Sequence, residues 1–310
     1  MEIIKDREEW IRSRRDDPGD FPRVLIVDTC SYCNLKCSMC FHVNMKRKQG
    51  VMPWSLFTKI IDEVAITNKD IRVWLVYFGE PFVIRRADID NNIFRMIRYA
   101  KSKELSDVVL NSNGNLMDEK AARNVIDSGL DAIYFGVDAA TSKTYAKYRV
   151  GGNYHKTVNN ILRLLDLKKE TGKEHPDVFI QLVEMDGNKH EIDDFINFWS
   201  KYDVTVKIRP MLKWINKLPP SGEPPQEKRY PCYWNMQVMS ITDRGIVAYC
   251  ANDMDAEIPC GDITKQTIKE AWKEMKVYRE LQLNGEWDKL PEICRGCVDW
   301  KAGVCEYIKR

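Results

Sequence analysis

Four cysteines fall within eleven residues of this chain, in the stretch CSYCNLKCSMC at positions 30–40. Three of them, Cys33, Cys37 and Cys40, are spaced CxxxCxxC and follow an apolar run, VLIVD (24–28), whose pattern predicts a buried strand. A [4Fe–4S] cluster takes four thiolate ligands, so three from one loop leave one iron open to a substrate or cofactor. The spacing therefore indicates a cluster that takes part in chemistry.

The fourth cysteine of this stretch, Cys30, keeps a second interpretation open. All four thiolates together would complete a structural zinc site. Zinc knuckles pair two short turns from separate segments, whereas these four cysteines lie in one continuous loop, which favours the cluster. Cys30 is then expected to be a small buried residue beside the strand end, with a role as hydrogen-atom donor or extra ligand as the alternative.

A second set of cysteines lies further along the sequence. Cys232 and Cys250 enclose the segment SITDRGIVAYC, whose turn residues predict a hairpin that returns Cys250 to the side of Cys232. A CxxC turn adds Cys294 and Cys297, and four thiolates saturate a [4Fe–4S] cluster. The alternative for these four residues is a zinc ribbon.

The composition narrows the class of protein that carries these cysteines. The sequence has 310 residues, with 48 Lys and Arg against 46 Asp and Glu, which gives a formal charge of +2. That balance supports neither a nucleic-acid surface nor a polybasic membrane anchor, and no apolar run approaches the ~20 residues that span a bilayer. We therefore expect a cytoplasmic protein, in which ten cysteines serve metal or redox chemistry rather than disulfides. Cys260 and Cys305 belong to neither set and are expected to remain unligated thiols.

The elements that position the first cysteine set are predicted by six apolar runs, which amphipathic stretches separate. They predict buried parallel strands at 24–28, 71–78, 108–114, 132–138, 178–185 and 204–211. Six strand–helix units indicate an α/β fold, a partial (β/α)6 TIM-like barrel, because a full eight-unit barrel needs ~250 residues. Such folds place their chemistry at the C-terminal ends of the strands, where the CxxxCxxC loop begins.

A proline-rich stretch, LPPSGEPPQEKRYP (218–231), predicts an extended linker between two domains. Six of the ten cysteines follow it. We therefore assign residues 1–21 to an N-terminal extension, 22–215 to the partial barrel and 216–310 to a small metal-bearing domain.

Several segments together resemble the radical S-adenosylmethionine (radical SAM) superfamily. The cluster-binding signature of that superfamily is similar to CNLKCSMC. Three later segments follow in the family's order: YFGEP (77–81), LNSNG (110–114) and YRVGGNYHKTVNNI (148–161). The resemblance implies that Cys33, Cys37 and Cys40 bind a [4Fe–4S] cluster whose open iron binds S-adenosylmethionine (SAM). Reductive cleavage of SAM then supplies a 5′-deoxyadenosyl radical that abstracts a hydrogen atom from the substrate.

The resemblance also implies which residues contact SAM. Glu80 of the Gly-Glu-Pro motif would bind the methionine amino group, and Arg149 the carboxylate, because a guanidinium matches a carboxylate bidentately. Met39 stands where relatives usually carry an aromatic residue near the adenine, and Phe41 is expected to fill part of that role. Each polar strand-end residue has a structural hydrogen bond as its alternative role. The predicted cofactor-binding set is Met39, Phe41, Gly79, Glu80, Pro81, Asn113, Asp138, Arg149 and Gln181.

The second cysteine set resembles the SPASM/twitch extension of radical SAM enzymes. Only Cys305 follows the CxxC turn, so the second auxiliary cluster of the SPASM form lacks ligands. The twitch form, with one auxiliary [4Fe–4S] cluster, fits this sequence better. Saturated by Cys232, Cys250, Cys294 and Cys297, that cluster would accept the electron left on a substrate radical.

The layout resembles that of radical SAM aminocyclitol dehydrogenases, which implies oxidation of an alcohol to a ketone. Only 32 residues precede Cys33, fewer than a peptide-recognition domain needs, so we expect a small polar substrate: a sugar, an aminocyclitol or a nucleotide sugar. The expected partners are this substrate and a flavodoxin or ferredoxin electron donor, with no nucleic acid and no membrane. Two alternatives stay open. One is a peptide- or protein-modifying maturase or epimerase, with Cys30, Cys260 or Cys305 as hydrogen donor; the other is a non-catalytic zinc or iron–sulfur protein.

Overall fold

The fold is described from a computed structural model of the chain, which covers residues 2–3, 17–85, 92–214, 229–301 and 305–309. Within these ranges eleven strands form one mixed sheet, in the order β1-β11-β7-β6-β5-β4-β3-β2-β8-β9-β10. The strands are β1 (Glu2–Ile3), β2 (Val24–Val27), β3 (Arg72–Trp74), β4 (Asp107–Ser112), β5 (Ala132–Gly136), β6 (Asp177–Glu184), β7 (Thr205–Pro210), β8 (Val238–Ile241), β9 (Ile246–Ala248), β10 (Pro259–Asp262) and β11 (Glu306–Lys309).

Strands β2 to β7 form the parallel centre of this sheet. Each pairs in parallel with the next along the chain, for example Val24 with Arg72 and Phe179 with Thr205. Parallel strands in succession require crossover connections, and helices supply them here. The predicted partial (β/α)6 barrel is confirmed, with all six predicted strands present.

Helices cover the outer face of the parallel strands. Several begin at the side chain of an Asn, Asp or Thr residue that accepts a hydrogen bond from the first turn, as Asn92, Asp118 and Asn153 do. In the described ranges no helix is both long and apolar enough to span a bilayer. The helices are α1 (Trp54–Thr67), α2 (Ile93–Ser102), α3 (Glu119–Asp127), α4 (Ser142–Tyr148), α5 (Tyr154–Thr171), α6 (Ile192–Trp199), α7 (Tyr233–Gln237), α8 (Ile268–Glu274), α9 (Lys276–Leu283) and α10 (Glu292–Arg295).

Both faces of the parallel sheet are buried, but against different neighbours. Residues such as Leu25 and Ile133 face the helices and belong to the main hydrophobic core. On the inner face, Val109 and Tyr134 form a separate cluster with Trp74. Successive side chains of a strand point to opposite faces, so this alternation separates the core that stabilises the barrel from the face that lines its interior.

The C-terminal part of the chain extends both edges of the same sheet. Strand β8 pairs in parallel with β2, and β9 and β10 continue from it in antiparallel fashion. On the other side, β11 pairs antiparallel with β7. The small C-terminal domain therefore shares a sheet with the barrel. The predicted linker at 218–231 lies mostly outside the described residues, as does most of the extension at 1–21, and the domain boundaries stay a prediction.

Candidate active site: two thiol sets beside one cavity

The loop that carries the first cysteine set begins where β2 ends and is fixed by contacts with later parts of the chain. The backbone N–H of Lys36 donates to the carbonyl of Val150 at 2.9 Å, and that of Ser38 to the carbonyl of Tyr148 at 2.9 Å. On its other side, Trp214 Nε1 donates to the Met39 carbonyl at 2.7 Å. The loop is thus held by the YRVGG turn and by the segment after β7.

Cys33, Cys37 and Cys40 pack together against a small apolar cluster that contains Leu35 and Met39. Burial raises the pKa of the Cys33 thiol to about 12 and that of Cys40 to about 11. It also raises the pKa of Cys37. Metal binding requires thiolates, so a cluster that binds here displaces three protons that the protein environment holds. These donors fit the three-thiolate attachment of a [4Fe–4S] cluster.

Glycine at position 79 lets the Gly-Glu-Pro segment approach this loop. A Cβ atom there would overlap the carbonyl oxygen of Cys30. The next residue, Glu80, donates its backbone N–H to the Tyr32 carbonyl at 2.9 Å. Pro81 then begins a short, buried 3₁₀ helix, Pro81–Ile84. The motif therefore places the Glu80 carboxylate directly beside the cysteine loop.

The Glu80 carboxylate is buried and accepts three hydrogen bonds. Its donors are the backbone N–H of Phe82 at 3.1 Å, Ser112 Oγ at 2.9 Å and the backbone N–H of Asn113 at 2.7 Å. Burial raises its pKa to about 7, although these hydrogen bonds act in the opposite direction. A carboxylate offers about four acceptor positions. One remains for a further donor, which fits the predicted ammonium group of SAM.

Arg149 and Asp138 form a buried ion pair with each other. Arg149 Nε lies 2.6 Å and Nη2 2.5 Å from Asp138 Oδ2, and Asp138 is fully buried. The other carboxylate oxygen accepts from the Val183 backbone N–H at 2.7 Å. Arg149 Nη1 lies 3.7 Å from Cys37 Sγ. The pair thus sets a positive group beside the first thiol set, and the binding of a SAM carboxylate by Arg149 stays a prediction.

The remaining predicted cofactor residues occupy different surroundings. Asn113 donates from Nδ2 to Asn34 Oδ1 at 2.9 Å, which ties the strand β4 end to the cysteine loop. Gln181 Nε2 donates to Asn111 Oδ1 at 3.1 Å inside the barrel. Phe41 begins a short 3₁₀ helix, Phe41–Asn44, directly after Cys40. Contacts of these residues with SAM stay a prediction.

Two buried polar networks near the site were not predicted from the sequence. Asn115 donates to Tyr145 Oη at 2.8 Å and to Thr157 Oγ1 at 2.7 Å, and accepts from the Asn153 backbone at 2.8 Å. The one signal for this network was that Asn115 directly follows LNSNG. It joins the strand β4 end to the start of α5, which follows the YRVGG turn.

The second network joins the cysteine loop to the C-terminal domain. Arg47 forms ion pairs with both Asp28 and Asp243, which are almost completely buried. Burial raises the pKa of Asp28 to about 7, while the positive charge of Arg47 opposes that rise. Arg47 Nε also donates to the Met254 carbonyl at 2.7 Å. No local sequence pattern indicates this contact, because its partners are far apart along the chain.

The second cysteine set lines one small cavity, here called the thiol pocket: Cys232, Cys250, Cys294 and Cys297. The predicted hairpin is confirmed, since β8 and β9 pair antiparallel and bring the segment after β9 back towards α7. The Cys232 backbone N–H donates to Gln282 Oε1 of α9 at 2.7 Å. Burial raises the pKa of Cys232 to about 12 and raises that of Cys250 as well. Residues far apart in sequence thus supply four thiols to one place.

The thiol pocket also holds buried donors that lack acceptors. Among the described residues, Trp234 Nε1 and Arg229 Nε have no hydrogen-bond partner. Arg229 Nη2 lies 3.2 Å from Cys294 Sγ. No three His, Cys, Asp or Glu side chains of the described ranges converge closely enough to hold one metal ion. A [4Fe–4S] cluster spreads four thiolates around a core of several atoms and presents acceptor sulfides, so these residues fit such a cluster.

A larger cavity occupies the barrel interior and is here called the barrel cavity. Its walls include Trp74 of β3, Asn111 of β4, Gln181 of β6 and Arg209 of β7. Trp234 and Asn252 line both the barrel cavity and the thiol pocket, so the two share a wall.

Tyr77, from the YFGEP motif, also lines the barrel cavity. Its Oη lies 3.0 Å from the carbonyl oxygens of both Cys250 and Asp253, which share its single hydroxyl hydrogen. A residue of the first site therefore holds the loop that carries a thiol of the second.

The three other cysteines differ in their access to the barrel cavity. Cys30 is fully buried in the main hydrophobic core, as predicted for a structural residue. Cys260 packs beside Tyr249 and Leu290, next to the thiol pocket. Cys305 lines the barrel cavity itself.

Sequence comparison with protein families matches both halves of this arrangement. Residues 27–198 match the Radical SAM superfamily, and residues 232–298 match SPASM, an iron–sulfur cluster-binding domain. A curated relative, the tungsten-containing aldehyde ferredoxin oxidoreductase cofactor-modifying protein of Pyrococcus furiosus, is 25% identical over 182 residues, which cover 57% of this chain and 48% of the relative. The chain thus spans about half the length of that relative.

Solved structures of low sequence identity show the same fold. BtrN in complex with AdoMet and 2-DOIA superposes with a TM-score of 0.61 at 15% identity, over 89% of this chain and 92% of BtrN. Streptococcus suis SuiB bound to its precursor peptide SuiA superposes with a TM-score of 0.66 at 13% identity, over 86% of this chain and 68% of SuiB. These similarities concern the fold alone.

The matched families indicate which cofactors the two domains of this chain bind. A Radical SAM domain uses SAM and a [4Fe–4S] cluster, and a SPASM domain binds auxiliary iron–sulfur. The number of auxiliary clusters, predicted to be one, stays a prediction. The chain belongs to the radical SAM superfamily and carries a SPASM domain after its partial barrel.

Proposed function

We propose that this radical SAM enzyme is a dehydrogenase that oxidises an alcohol of a small polar substrate to a ketone. The observation that carries the proposal is the wall, formed by Trp234 and Asn252, that the barrel cavity shares with the thiol pocket. A substrate in the barrel cavity lies next to the site where four thiols would hold an electron acceptor. Net removal of two electrons needs such an acceptor close to the substrate.

A cluster held by Cys33, Cys37 and Cys40, together with SAM, would supply the radical that removes one hydrogen atom from the substrate alcohol, and a cluster held by the thiol pocket would take up the electron that remains once the hydroxyl proton has left. The chain's own residues prepare these positions. Glu80 offers one free acceptor position beside the cysteine loop, and Tyr77 fixes the Cys250 loop against the same strand end. Aromatic side chains, among them Trp74 and Trp234, form part of the barrel cavity wall.

The solved structures of similar fold were determined with different kinds of bound molecule. BtrN was solved with a small molecule, 2-DOIA, whereas SuiB was solved with a precursor peptide. We propose a small molecule as the substrate in the barrel cavity of this chain, and a peptide stays the alternative substrate. We propose a flavodoxin or a ferredoxin as the electron donor, since the SAM-binding cluster must be reduced by one electron before each SAM cleavage.

A double variant of the CxxC turn tests the dehydrogenase proposal. Replacement of Cys294 and Cys297 by Ala should leave SAM cleavage to 5′-deoxyadenosine in place but abolish ketone formation, because the electron has no acceptor. Cys260→Ala serves as the control, because this thiol packs beside the pocket without lining it. Both products are measured by mass spectrometry. Ketone formation at the wild-type rate in the double variant would rule out the proposed electron-acceptor role.

The position of Cys305 favours epimerisation as the second candidate function. This thiol lines the barrel cavity, where it is able to return a hydrogen atom to a substrate radical. Turnover in deuterated water separates the two functions. Solvent deuterium on a non-exchangeable carbon, lost in Cys305→Ala but kept in Cys260→Ala, would establish the epimerase. A ketone formed one-to-one with 5′-deoxyadenosine in both variants supports the dehydrogenase.

A further inference from the structure

We propose that a cavity between residues 17–20 and the helices α8 and α9 binds a phosphate-bearing anion. This cavity, here called the basic pocket, has a volume of about 470 Å³, within the range that is typical of small-molecule sites. Among the described residues, none lines both the basic pocket and either the barrel cavity or the thiol pocket. The inference therefore concerns a second ligand site and does not depend on the proposed dehydrogenase.

Four basic side chains give the basic pocket its charge. They come from two consecutive helices and are Lys269, Lys273, Lys276 and Arg279. Lysines at these spacings lie on neighbouring turns, so that several ammonium groups face the same space. A binding site for an anion needs such a convergence of cations, but exposed lysines alone do not make one.

The carboxylates of the wall do not balance this charge. Asp17 Oδ2 lies 3.4 Å from Arg23 Nη2, and Lys276 Nζ lies 3.4 Å from Glu280 Oε1, so one member of each sign has a partner outside the wall. Within the described ranges, the other three cations form no ion pair, and Asp20 is the one carboxylate of the wall without a partner. The remaining excess of positive charge matches a phosphate group, which carries roughly −1.5 to −2 at neutral pH.

The burial of Arg279 distinguishes the basic pocket from a cluster of surface lysines. The Arg279 side chain lines the pocket but is only 3% exposed, and its Nε and Nη1 have no hydrogen-bond partner among the described residues. Burial lowers its pKa to about 10, which leaves the guanidinium charged at neutral pH. A buried charge without a counterion costs free energy, and an unpaired buried donor in a native structure points to an ion or water that completes the site. An oxyanion in the basic pocket would offset that cost.

The Arg279 guanidinium is held in position by its neighbours. Its Cζ lies 3.8 Å from the ring centroid of Trp272, and its Nη2 donates to the Trp272 carbonyl at 2.5 Å. Trp272 Nε1 in turn donates to the Gly19 carbonyl at 3.1 Å, which fixes the segment on the other side of the pocket. A group that is already fixed loses little conformational freedom when a ligand binds. A fixed guanidinium with ammonium groups around it is a combination that binds phosphate oxygens.

The basic pocket lies on the helix that supports part of the thiol pocket. Gln282 follows Arg279 by three residues on α9 and accepts a hydrogen bond from the Cys232 backbone N–H at 2.7 Å. An anion bound to Arg279 would therefore stabilise the helix that contacts the Cys232 segment.

Equilibrium binding tests the inference without any turnover. Isothermal titration calorimetry on the anaerobically reconstituted enzyme, saturated with SAM, measures the affinities for inorganic phosphate and for glycerol 3-phosphate at constant ionic strength. We expect at least one of the two to bind to a site of one per chain and to lose affinity as salt rises. Tighter binding of the ester would assign the site to an organic phosphate, and tighter binding of inorganic phosphate would assign it to the free ion.

Two variants locate the binding in the basic pocket. Arg279→Lys keeps the positive charge but loses the planar guanidinium, and it should weaken binding at least tenfold. Lys273→Gln removes one exposed cation and should weaken binding about fivefold, a loss typical of one ion pair. Because Lys273 is exposed, its replacement tests the site even if Arg279→Lys fails to fold, which far-ultraviolet circular dichroism detects.

Lys120→Gln is the matched control, because Lys120 is an exposed lysine on α3, outside the basic pocket. Its affinities should equal those of the wild type. Three results would each overturn the inference: no binding of either compound at about 10 mM, unchanged affinity in a folded Arg279→Lys or Lys273→Gln variant, or an equal loss in Lys120→Gln.

Discussion

The two thiol sets differ in how far apart their cysteines lie along the chain. The first takes three cysteines from one short loop after β2, so its ligands are close in sequence before the chain folds. The second collects four cysteines from three separate segments, after β9 and around α7 and α10, into one pocket. With a [4Fe–4S] cluster bound, the three thiols of the first set would leave one iron open for SAM, whereas the four thiols of the second set would saturate their cluster.

The electrostatic surroundings of the two thiol sets also differ. The first set lies beside a carboxylate with one free acceptor position, Glu80, and beside the buried Arg149–Asp138 pair. At the thiol pocket, Arg229 Nη2 lies 3.2 Å from Cys294 Sγ, and Trp234 and Trp300 form part of the wall. These surroundings agree with the proposal that the first set binds a further group and that the second stores or passes an electron.

The largest expected effect comes from removal of the first set. Replacement of Cys33, Cys37 and Cys40 together by Ala should abolish reductive SAM cleavage, because no cluster iron remains for SAM. The second set should keep about four irons. Anaerobic assay of 5′-deoxyadenosine and iron analysis measure both effects.

Cys30→Ala is the matched control for the triple variant, since this cysteine lies in the same loop but in the hydrophobic core. It should retain SAM cleavage. Continued 5′-deoxyadenosine formation in the triple variant would contradict the assignment of the first set.

The next largest effect should come from the Arg47 ion pairs, which join the cysteine loop to the C-terminal domain. Arg47→Leu leaves the buried carboxylates of Asp28 and Asp243 without their cation, which should lower the free energy of unfolding by about 3–5 kcal/mol. Urea unfolding measures it. Lys46→Leu changes an exposed neighbour, and its effect should stay within about 0.5 kcal/mol. Equal stability of the two variants would show that Arg47 does not hold the regions together.

A smaller effect should be the dependence of SAM affinity on pH, which we expect at the first thiol set through Glu80. Burial raises the pKa of Glu80 to about 7, so this carboxyl is ionised above that pH and protonated below it. If it binds the SAM ammonium group, SAM affinity should fall up to tenfold for each pH unit below 7. Calorimetry on the reconstituted enzyme measures the affinity, and Glu80→Gln should remove the pH dependence. The same slope in the variant would assign it to another group.

The first thiol set was predictable from the sequence because its three cysteines lie close together along the chain. CxxxCxxC and the Gly-Glu-Pro segment lie next to predicted strand ends, and the barrel places those ends together. The sequence predicted that the four thiols of the second set lie together. It did not predict that β8 joins the barrel sheet beside β2, because β8 and β9 are too short to indicate this pairing. Local patterns also gave no sign of the Arg47 ion pairs, whose partner Asp243 lies 196 residues away.

Arg149 was predicted as a site residue by resemblance and Asp138 by its place at a predicted strand end, and neither prediction indicated that the two residues bind each other. Each was assigned singly to the barrel mouth, and the structure shows an ion pair in which two guanidinium nitrogens of Arg149 contact the Oδ2 atom of Asp138. A family motif specifies which residues matter, whereas the charge balance of a buried site depends on partners that only the folded chain brings together.

Iron and sulfide analysis tests the two-set account most directly. The wild-type protein, reconstituted anaerobically, should hold about eight irons and eight sulfides per chain, as two [4Fe–4S] clusters require. The triple variant of the first set and a quadruple Ala variant of Cys232, Cys250, Cys294 and Cys297 should each hold about half of that. One or two zinc ions per chain in place of iron, or an unchanged iron content in either variant, would contradict the account.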